Sequence, residues 1–331
     1  MSAMNHAADR LYAAMDEKKT PLCVGLDPNL RLFPKCVLEE ASAKYGGDSF
    51  RAAGEAIRMF NMAVIEAVHD LVPVSKPQSA YYEPYGSEGI RALEDTVRHL
   101  ESRGVIPILD AKRNDIGRTS QAYADAYLGE SFMPDGSTVR SPVGVQFLTV
   151  VGYLGSDGVK PFVETARDHN NGLFVLAKTS NKSAGDLQDL KLESGIEVYM
   201  QMAALVDQWC GDDRGEEGYS HVGMVVGATK PEEAALLREK YPHLTFLMPG
   251  YGTQGAAAEK LINGFDARGR GAVVNSSSGI NYAFSNPKFA ERHPELAKDD
   301  LFADAARQAT IDSIEDINAA LKGAGKLPAG W

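Results

Sequence analysis

The sequence has few cysteines, no excess of positive charge and no export signal. Three cysteines in 331 residues, Cys23, Cys36 and Cys210, follow no CxxC spacing. This favours reduced thiols in the cytosol over a disulfide framework or a zinc site. The net charge of -11 disfavours nucleic acid as a partner, because a phosphate backbone demands a basic surface. The first twenty residues carry acidic side chains and lack an apolar core, so we predict a cytoplasmic protein with no membrane partner.

Eight short apolar runs alternate with amphipathic helical patterns. Each run is nearly continuous in Val, Ile, Leu and Phe, as buried parallel strands are. Eight such units predict an α/β protein with a (β/α)8 TIM barrel. A doubly wound sheet is the alternative, but no GxGxxG motif follows the first run. The runs are residues 21–27, 71–78, 105–112, 143–151, 172–180, 221–229, 244–250 and 271–278.

Barrels of this length are commonly one domain, so we expect residues 1–331 to form a single barrel. Helical spacing of apolar residues near the start of the chain predicts an N-terminal helix. Three stretches exceed ordinary loop length, and we interpret them as insertions in the barrel. They are residues 31–48, 129–141 and 182–220.

Charged residues stand at the ends of the first three predicted strands, and catalytic groups of a barrel gather at these carboxyl ends. Asp110 and Lys112 are two residues apart on one strand, so both side chains should point inward. Inward charges are costly unless they are paired. With Lys76 and Asp115 they would form a neutral quartet that holds a lysine as ammonium, ready to donate a proton. A structural ion-pair network is the alternative for any one of them, but four together favour catalysis.

Glycine-containing turns follow the seventh and eighth runs, where barrels usually bind phosphate. Backbone N–H groups near Gly252 and Gly279 could attract a dianion, although ordinary turns have the same composition. Asp27 could bind a sugar hydroxyl or cap a helix, and Ser180 could bind a polar ring or cap the next segment. We expect no His-rich metal cluster, while a carboxylate-only magnesium site stays open.

The segment 110–116, Asp-Ala-Lys-Arg-Asn-Asp-Ile, resembles the DxKxxDI motif of orotidine 5'-phosphate decarboxylases. Segments 22–28, 74–78, 178–181, 188–189 and 249–255 are similar to the pattern of the second bacterial subfamily, in the same order. The resemblance covers residues 21 to 283. It implies the conversion of orotidine 5'-monophosphate to uridine 5'-monophosphate and CO₂ in de novo pyrimidine biosynthesis, with no cofactor and no metal.

The resemblance also implies catalytic roles for the charged residues. Lys112 would protonate C6 of the pyrimidine as the carboxylate leaves. Asp110 would lie beside the substrate carboxylate, and Lys76 would bind the ribose and steady Asp110. Asp115, with Thr119 after it, would reach the active site of the neighbouring subunit, which predicts a homodimer.

The substrate would be held by residues from other strand ends. Asp27 would bind a ribose hydroxyl and Ser180 the edge of the pyrimidine. Gln254, together with backbone N–H groups near Gly252 and Gly279, would contact the phosphate.

Two positions depart from the family pattern. Ser278 occupies the position of the arginine that normally grips the phosphate, and the segment from Thr149 to Tyr153, around the end of the fourth run, has no asparagine where one is expected. Ser278 motivates one alternative, a nucleotide-binding relative with impaired catalysis. The other alternative is a metal-dependent keto-sugar-phosphate lyase of the same barrel group, but such enzymes usually have an acidic ligand where this chain has Lys76.

Overall fold

Eight parallel strands close into a barrel in the computed structural model, which describes residues 6–228, 230–252 and 257–331. The eight barrel strands follow one another around the barrel in chain order, and each of them coincides with one predicted run. The predicted (β/α)8 barrel is therefore confirmed. The strands are β1 (Leu22–Leu26), β2 (Val74–Pro77), β3 (Ile106–Arg113), β4 (Glu130–Phe132), β5 (Thr138–Arg140), β6 (Phe147–Val150), β7 (Gly172–Lys178), β8 (Val222–Val226), β9 (Phe246–Pro249) and β10 (Ala272–Ser276).

Helices surround the barrel. The two longest, α3 (Phe50–Val68) and α12 (Phe302–Gly323), pack against each other, and α12 also contacts β1. The helices are α1 (Ala7–Lys18), α2 (Lys35–Tyr45), α3 (Phe50–Val68), α4 (Gly86–Ser102), α5 (Gly117–Leu128), α6 (Ser156–Asp168), α7 (Val198–Cys210), α8 (Pro231–Lys240), α9 (Ala258–Leu261), α10 (Ser278–Asn281), α11 (Pro287–Arg292) and α12 (Phe302–Gly323). None of the helices in the described ranges is long and apolar enough to span a membrane.

Helix α1 packs across the amino-terminal end of the barrel. Its side chains Leu11, Tyr12 and Met15 are fully buried and join the apolar layer inside the barrel. Tyr12 shares a hydrogen bond of 2.9 Å with Thr245, which lies just before β9. Because α1 closes this end, the opposite, carboxyl end is the one that offers a site.

All three long stretches contain regular secondary structure, and the sequence indicated only that of the last, since residues 198–210 have a helical pattern. Residues 129–141 contain the antiparallel pair β4 and β5, which lies outside the barrel. Residues 182–220 contain α7, which packs on β7 and β8 and is part of the helical layer. The added segment after β7 is therefore mainly residues 182–197.

The strand register brings the charged strand ends together. Lys76 of β2 pairs with Gly25 of β1. Gly25 lies two residues before Asp27, so Lys76 and Asp27 are at the same end of the barrel. A single bridge pairs Gln78 with Asp110 of β3. The side chains of three neighbouring strand ends therefore meet at one edge of the barrel.

Candidate active site

A carboxylate between two ammonium groups forms the centre of the site. Asp110 Oδ2 lies 2.7 Å from Lys76 Nζ, and Asp110 Oδ1 lies 2.6 Å from Lys112 Nζ. Lys76 is 4% exposed and Asp110 8%, so this pairing is shielded from solvent. The side chain of Lys112 is half exposed, and its ammonium is the member of this trio that an incoming ligand can reach.

Burial and pairing have opposite effects on these charges. Burial by itself raises the pKa of Asp110, but Lys76 and Lys112 outweigh it and hold that pKa well below its usual range. Burial lowers the pKa of Lys76, yet Asp110 and Asp27 raise it above its usual value. Asp110 is therefore ionised, and Lys76 is protonated, at neutral pH.

Two neutral side chains complete the coordination of Asp110. Gln78 Nε2 donates to Asp110 Oδ2 at 2.9 Å, and Thr149 Oγ1 donates to Asp110 Oδ1 at 2.9 Å. Thr149 Oγ1 also accepts the backbone N–H of Lys112 at 3.0 Å. From the sequence, Thr149 was noted only in a segment that departs from the family pattern, and Gln78 had no predicted role. Both residues lie at or next to the carboxyl end of a barrel strand, and this position could have indicated a role in the site.

Lys112 has an unusual backbone conformation. Its φ is +48°, in the left-handed region that residues other than glycine rarely adopt. The register between β3 and β6 shifts between Leu109 and Arg113, so the strand is irregular at this point. The simple alternation assumed from the sequence is therefore not what brings Lys112 to Asp110. Such local strain is typical of functional positions, because the surrounding contacts must maintain it.

Asp27 and Asn275 present buried oxygen atoms to the same region. Asp27 Oδ1 and Asn275 Oδ1 are both buried, and neither has a hydrogen-bond partner among the described residues. Burial raises the pKa of Asp27, while the neighbouring Lys76 opposes this. The carbonyl of Asp27 is fixed by the hydroxyl of Tyr282, which donates to it at 2.7 Å. Unsatisfied acceptors at the ends of β1 and β10 suit a ligand that brings hydroxyl donors.

A cavity of about 530 Å³ lies beside the expected phosphate loops. Gly252, Ser276 and Gly279 line it, together with Lys288 and Arg292 of α11. Arg292 is paired with Asp312 of α12 at 2.7 Å. Ser278 is the first residue of α10. Gln254 lies outside the described residues.

Asp115 and Thr119 do not join the trio in this chain. Asp115 Oδ1 accepts the N–H of Ile116 at 2.8 Å, and no described lysine pairs with the Asp115 carboxylate. Thr119 is exposed on α5. Within this chain, Lys76, Asp110 and Lys112 therefore come together with Asp27 beside Lys76, and Asp115 lies apart from them.

Ser180 lies in the turn after β7 and packs against the end of β8. A Cβ placed on Gly227 would lie only 2.8 Å from Ser180 N, so the two turns are in close contact. The preceding residue, Thr179, is held by the side-chain amide of Gln188.

Among the described residues, two groups of side chains that could hold a metal lie away from this site, whereas the sequence predicted no His-rich metal cluster. One consists of His6, Asp213 and His221, and the other of Asp207, Cys210 and His243. His221 directly precedes β8 and His243 lies three residues before β9, so both groups lie towards the amino-terminal end. Burial lowers the pKa of His221 to about 4, although Asp213 at 2.8 Å opposes this. These groupings could not be seen in the sequence because no short motif connects their members.

The chain matches the model of the orotidine 5'-phosphate decarboxylase / HUMPS family over residues 20–290. The chain belongs to this family. It is 43% identical to the orotidine 5'-phosphate decarboxylase of Rhodopirellula baltica, covering 94% of this chain and 98% of that protein. The corresponding protein of Petrotoga mobilis is 38% identical, with 93% and 97% covered.

The structure is similar to that of Leishmania donovani OMP decarboxylase. The TM-score is 0.69 at 28% sequence identity, and the match covers 95% of this chain and 98% of the other. The trio is thus at the carboxyl end of a barrel shared with solved members of the decarboxylase family. The resemblance inferred from the DxKxxDI segment is confirmed at the level of the family.

Proposed function

We propose that this chain converts orotidine 5'-monophosphate to uridine 5'-monophosphate and CO₂, as a step of de novo pyrimidine biosynthesis. The observation that carries the proposal is the trio of Lys76, Asp110 and Lys112 at the carboxyl end of the barrel. It supplies a fixed negative charge and a reachable ammonium donor at one place. This combination suits a reaction in which a carboxylate leaves and a proton takes its position.

The reaction needs one bond broken and one formed. The bond from C6 to the carboxylate breaks, its electron pair stays on C6, and CO₂ leaves. Lys112 Nζ then donates a proton to C6, which gives the product and a neutral amine that solvent reprotonates. A positioned ammonium stabilises the charge that develops on C6, because electrostatic preorganisation acts strongly in a shielded site.

Asp110 maintains the geometry of this step. It remains ionised between the two lysines, and its bonds to Gln78 and Thr149 fix both carboxylate oxygens. In our proposal the substrate carboxylate approaches Asp110, and its departure as CO₂ relieves the repulsion between them. Lys76 holds Asp110 from the buried side and also binds the ribose.

The rest of the substrate is held by residues from the other strand ends. Asp27 accepts a ribose hydroxyl with its unpartnered Oδ1, and Ser180 binds the pyrimidine edge. Gly252 and Gly279 supply backbone N–H groups for the phosphate, and Gln254 adds a side-chain contact. The cavity beside Gly252 and Gly279 lies next to this phosphate position.

We also propose a cytoplasmic homodimer in which Asp115 and Thr119 complete the site of the partner subunit. Exposed apolar side chains surround this segment: Ile116 lies next to Asp115, and Tyr153, which is 73% exposed, lies in the loop before α6. Helices α5 and α6 pack together here, and Ser120 Oγ donates to Gly158 O at 2.7 Å. A second copy would cover the apolar side chains and bring Asp115 near its trio.

The two alternative functions are less well supported. A lyase that holds a metal at the end of β2 would need a free carboxylate there, but Lys76 occupies this position and pairs with Asp110. A relative with impaired catalysis would not need the strained backbone of Lys112 or the bonds around Asp110.

The direct test follows the loss of orotidine 5'-monophosphate absorbance with purified protein. We expect turnover before and after exhaustive dialysis against EDTA. Turnover that depends strictly on added Mg²⁺ would support the lyase instead. Absence of turnover, with tight nucleotide binding, would support the impaired relative.

A further inference from the structure

An ion-pair ring lies at the carboxyl end of β7, on the side that faces the helices. Lys178, the last residue of β7, is 2% exposed, and its ammonium pairs with Asp189 and, at 3.4 Å, with Glu233 Oε1. Lys230 closes the ring with contacts of 3.0 Å to Asp189 Oδ2 and Glu233 Oε1. Charges of opposite sign alternate around the ring, which offsets the cost of burying Lys178. The ring fixes Asp189, which belongs to the added segment 182–197, against the barrel.

Gln188, the neighbour of Asp189, holds the turn that follows β7. Its Oε1 accepts the backbone N–H of Thr179 at 2.9 Å, and its Nε2 donates to Thr179 Oγ1 at 2.7 Å. Thr179 Oγ1 in turn donates to Asn181 Oδ1 at 2.6 Å. The side chain of one residue therefore fixes both the backbone and a side chain of the turn 179–181.

Ser180 lies in the middle of this turn and is also restrained from the other side. Gly227 N donates to Lys178 O at 2.9 Å, and the absence of a side chain on Gly227 lets the turn lie directly on β8. The added segment and the end of β8 thus determine where the Ser180 hydroxyl can point.

We propose that Gln188 and Asp189 are positioning residues that aim Ser180 at the pyrimidine ring of the substrate. This rests on the proposed function, in which Ser180 binds the pyrimidine edge. Neither residue touches the reacting atoms; both act through the turn. Hydrogen bonds to the base are directional, so a looser turn weakens recognition of the base. Recognition of the ribose phosphate depends on other strand ends and is unaffected.

The test compares a ligand that has the pyrimidine with one that lacks it. In Gln188→Ala we expect the inhibition constant of uridine 5'-monophosphate to rise roughly tenfold, as expected for the loss of one to two neutral hydrogen bonds. The KM for orotidine 5'-monophosphate rises with it. The inhibition constant of ribose 5-phosphate stays unchanged. Gln188→Glu keeps an acceptor for the Thr179 N–H and restores part of the loss.

A matched control removes an amide at the opposite end of the same strand. Asn171 precedes β7, and its Nδ2 donates to Leu128 O at 2.8 Å. Asn171→Ala should leave both inhibition constants unchanged. If Gln188→Ala fails to fold, Asp189→Asn, which weakens the ring with little change in volume, takes its place and should give the same selective loss.

The outcomes separate this inference from the proposed function. Equal weakening of both ligands, or no weakening of either in a folded variant, overturns the positioning role. A wild-type protein that does not turn over orotidine 5'-monophosphate refutes the proposed function. If the wild-type protein turns over orotidine 5'-monophosphate and Gln188→Ala has the same KM and inhibition constants as the wild type, only the positioning role is refuted.

Discussion

Replacing Thr149 by valine keeps the shape of the side chain but removes the hydroxyl that joins Asp110 to the backbone of Lys112. In the native site this hydroxyl donates to Asp110 Oδ1 at 2.9 Å and accepts the Lys112 N–H at 3.0 Å. In the variant, Asp110 Oδ1 loses the hydrogen bond from residue 149 and keeps the one from Lys112 Nζ. The N–H of a residue with positive φ loses its acceptor.

The size of the effect follows from these two contacts. A hydrogen bond to a charged group contributes roughly 1.5–3 kcal/mol, and a buried donor without an acceptor costs about 1–3 kcal/mol. If the first loss acts on the transition state, kcat falls about ten- to a hundredfold, since about 1.4 kcal/mol corresponds to tenfold. The second loss lowers the free energy of unfolding by about 1–3 kcal/mol.

The assay measures kcat at saturating orotidine 5'-monophosphate and the free energy of unfolding in urea. Thr310→Val is the control, because Thr310 is equally buried in α12 and its hydroxyl donates to Ala306 O at 2.8 Å. It should leave kcat unchanged. A Thr149→Val protein that is destabilised but has wild-type kcat would refute the catalytic part of this reasoning. Wild-type values of both quantities would refute the geometry itself.

Four further predictions address other parts of the molecule. Lys112→Ala should lose many orders of magnitude in turnover while remaining folded, because it removes both proton donor and charge; a variant that keeps a tenth of wild-type kcat contradicts the assignment. Inactive Lys112→Ala and Asp115→Ala subunits, mixed equally and exchanged, should recover about a quarter of the sites, by the symmetry of a shared dimer; no recovery would place Asp115 in its own subunit's site. Ser278→Arg should raise kcat/KM about ten- to a hundredfold for the nucleotide through a charge-assisted bond to phosphate, but not for orotidine, and equal effects on both would move Ser278 away from the phosphate. The free energy of unfolding should decrease as pH falls from about 6.5 towards 4, because His221 is protonated in the unfolded chain over this range but stays neutral in the folded one. Urea titrations should show a smaller decrease for His221→Gln, and an equal decrease in the variant and the wild type would contradict this prediction.

The barrel strands were predictable because buried strands have a recognisable apolar sequence pattern. A parallel strand covered on both faces must be apolar along its length, and the eight continuous apolar runs coincide with the eight barrel strands. The pair β4 and β5 was not predicted, because its strands have three residues each and face solvent on both sides. Such strands need neither an apolar run nor an alternating pattern.

The sequence also indicated which end of the barrel holds the chemistry. Asp27, Lys76 and Asp110 stand at the ends of apolar runs, and parallel strands place their carboxyl ends at one edge. The contacts of Asp110 with Gln78 and Thr149 join residues 32 and 39 positions apart. These depend on the register between strands, which no local pattern specifies.

The amino-acid order by itself determined the fold, the family and the charged residues, because these follow from hydrophobic periodicity and from short segments of chain. Tertiary structure decided how those residues are arranged. It placed Lys112 in a left-handed conformation, kept Asp115 apart from the trio of its own chain, and joined the segment after β7 to Ser180 through Gln188. Each of these depends on contacts between strands and loops, and such contacts exist only once the barrel has closed.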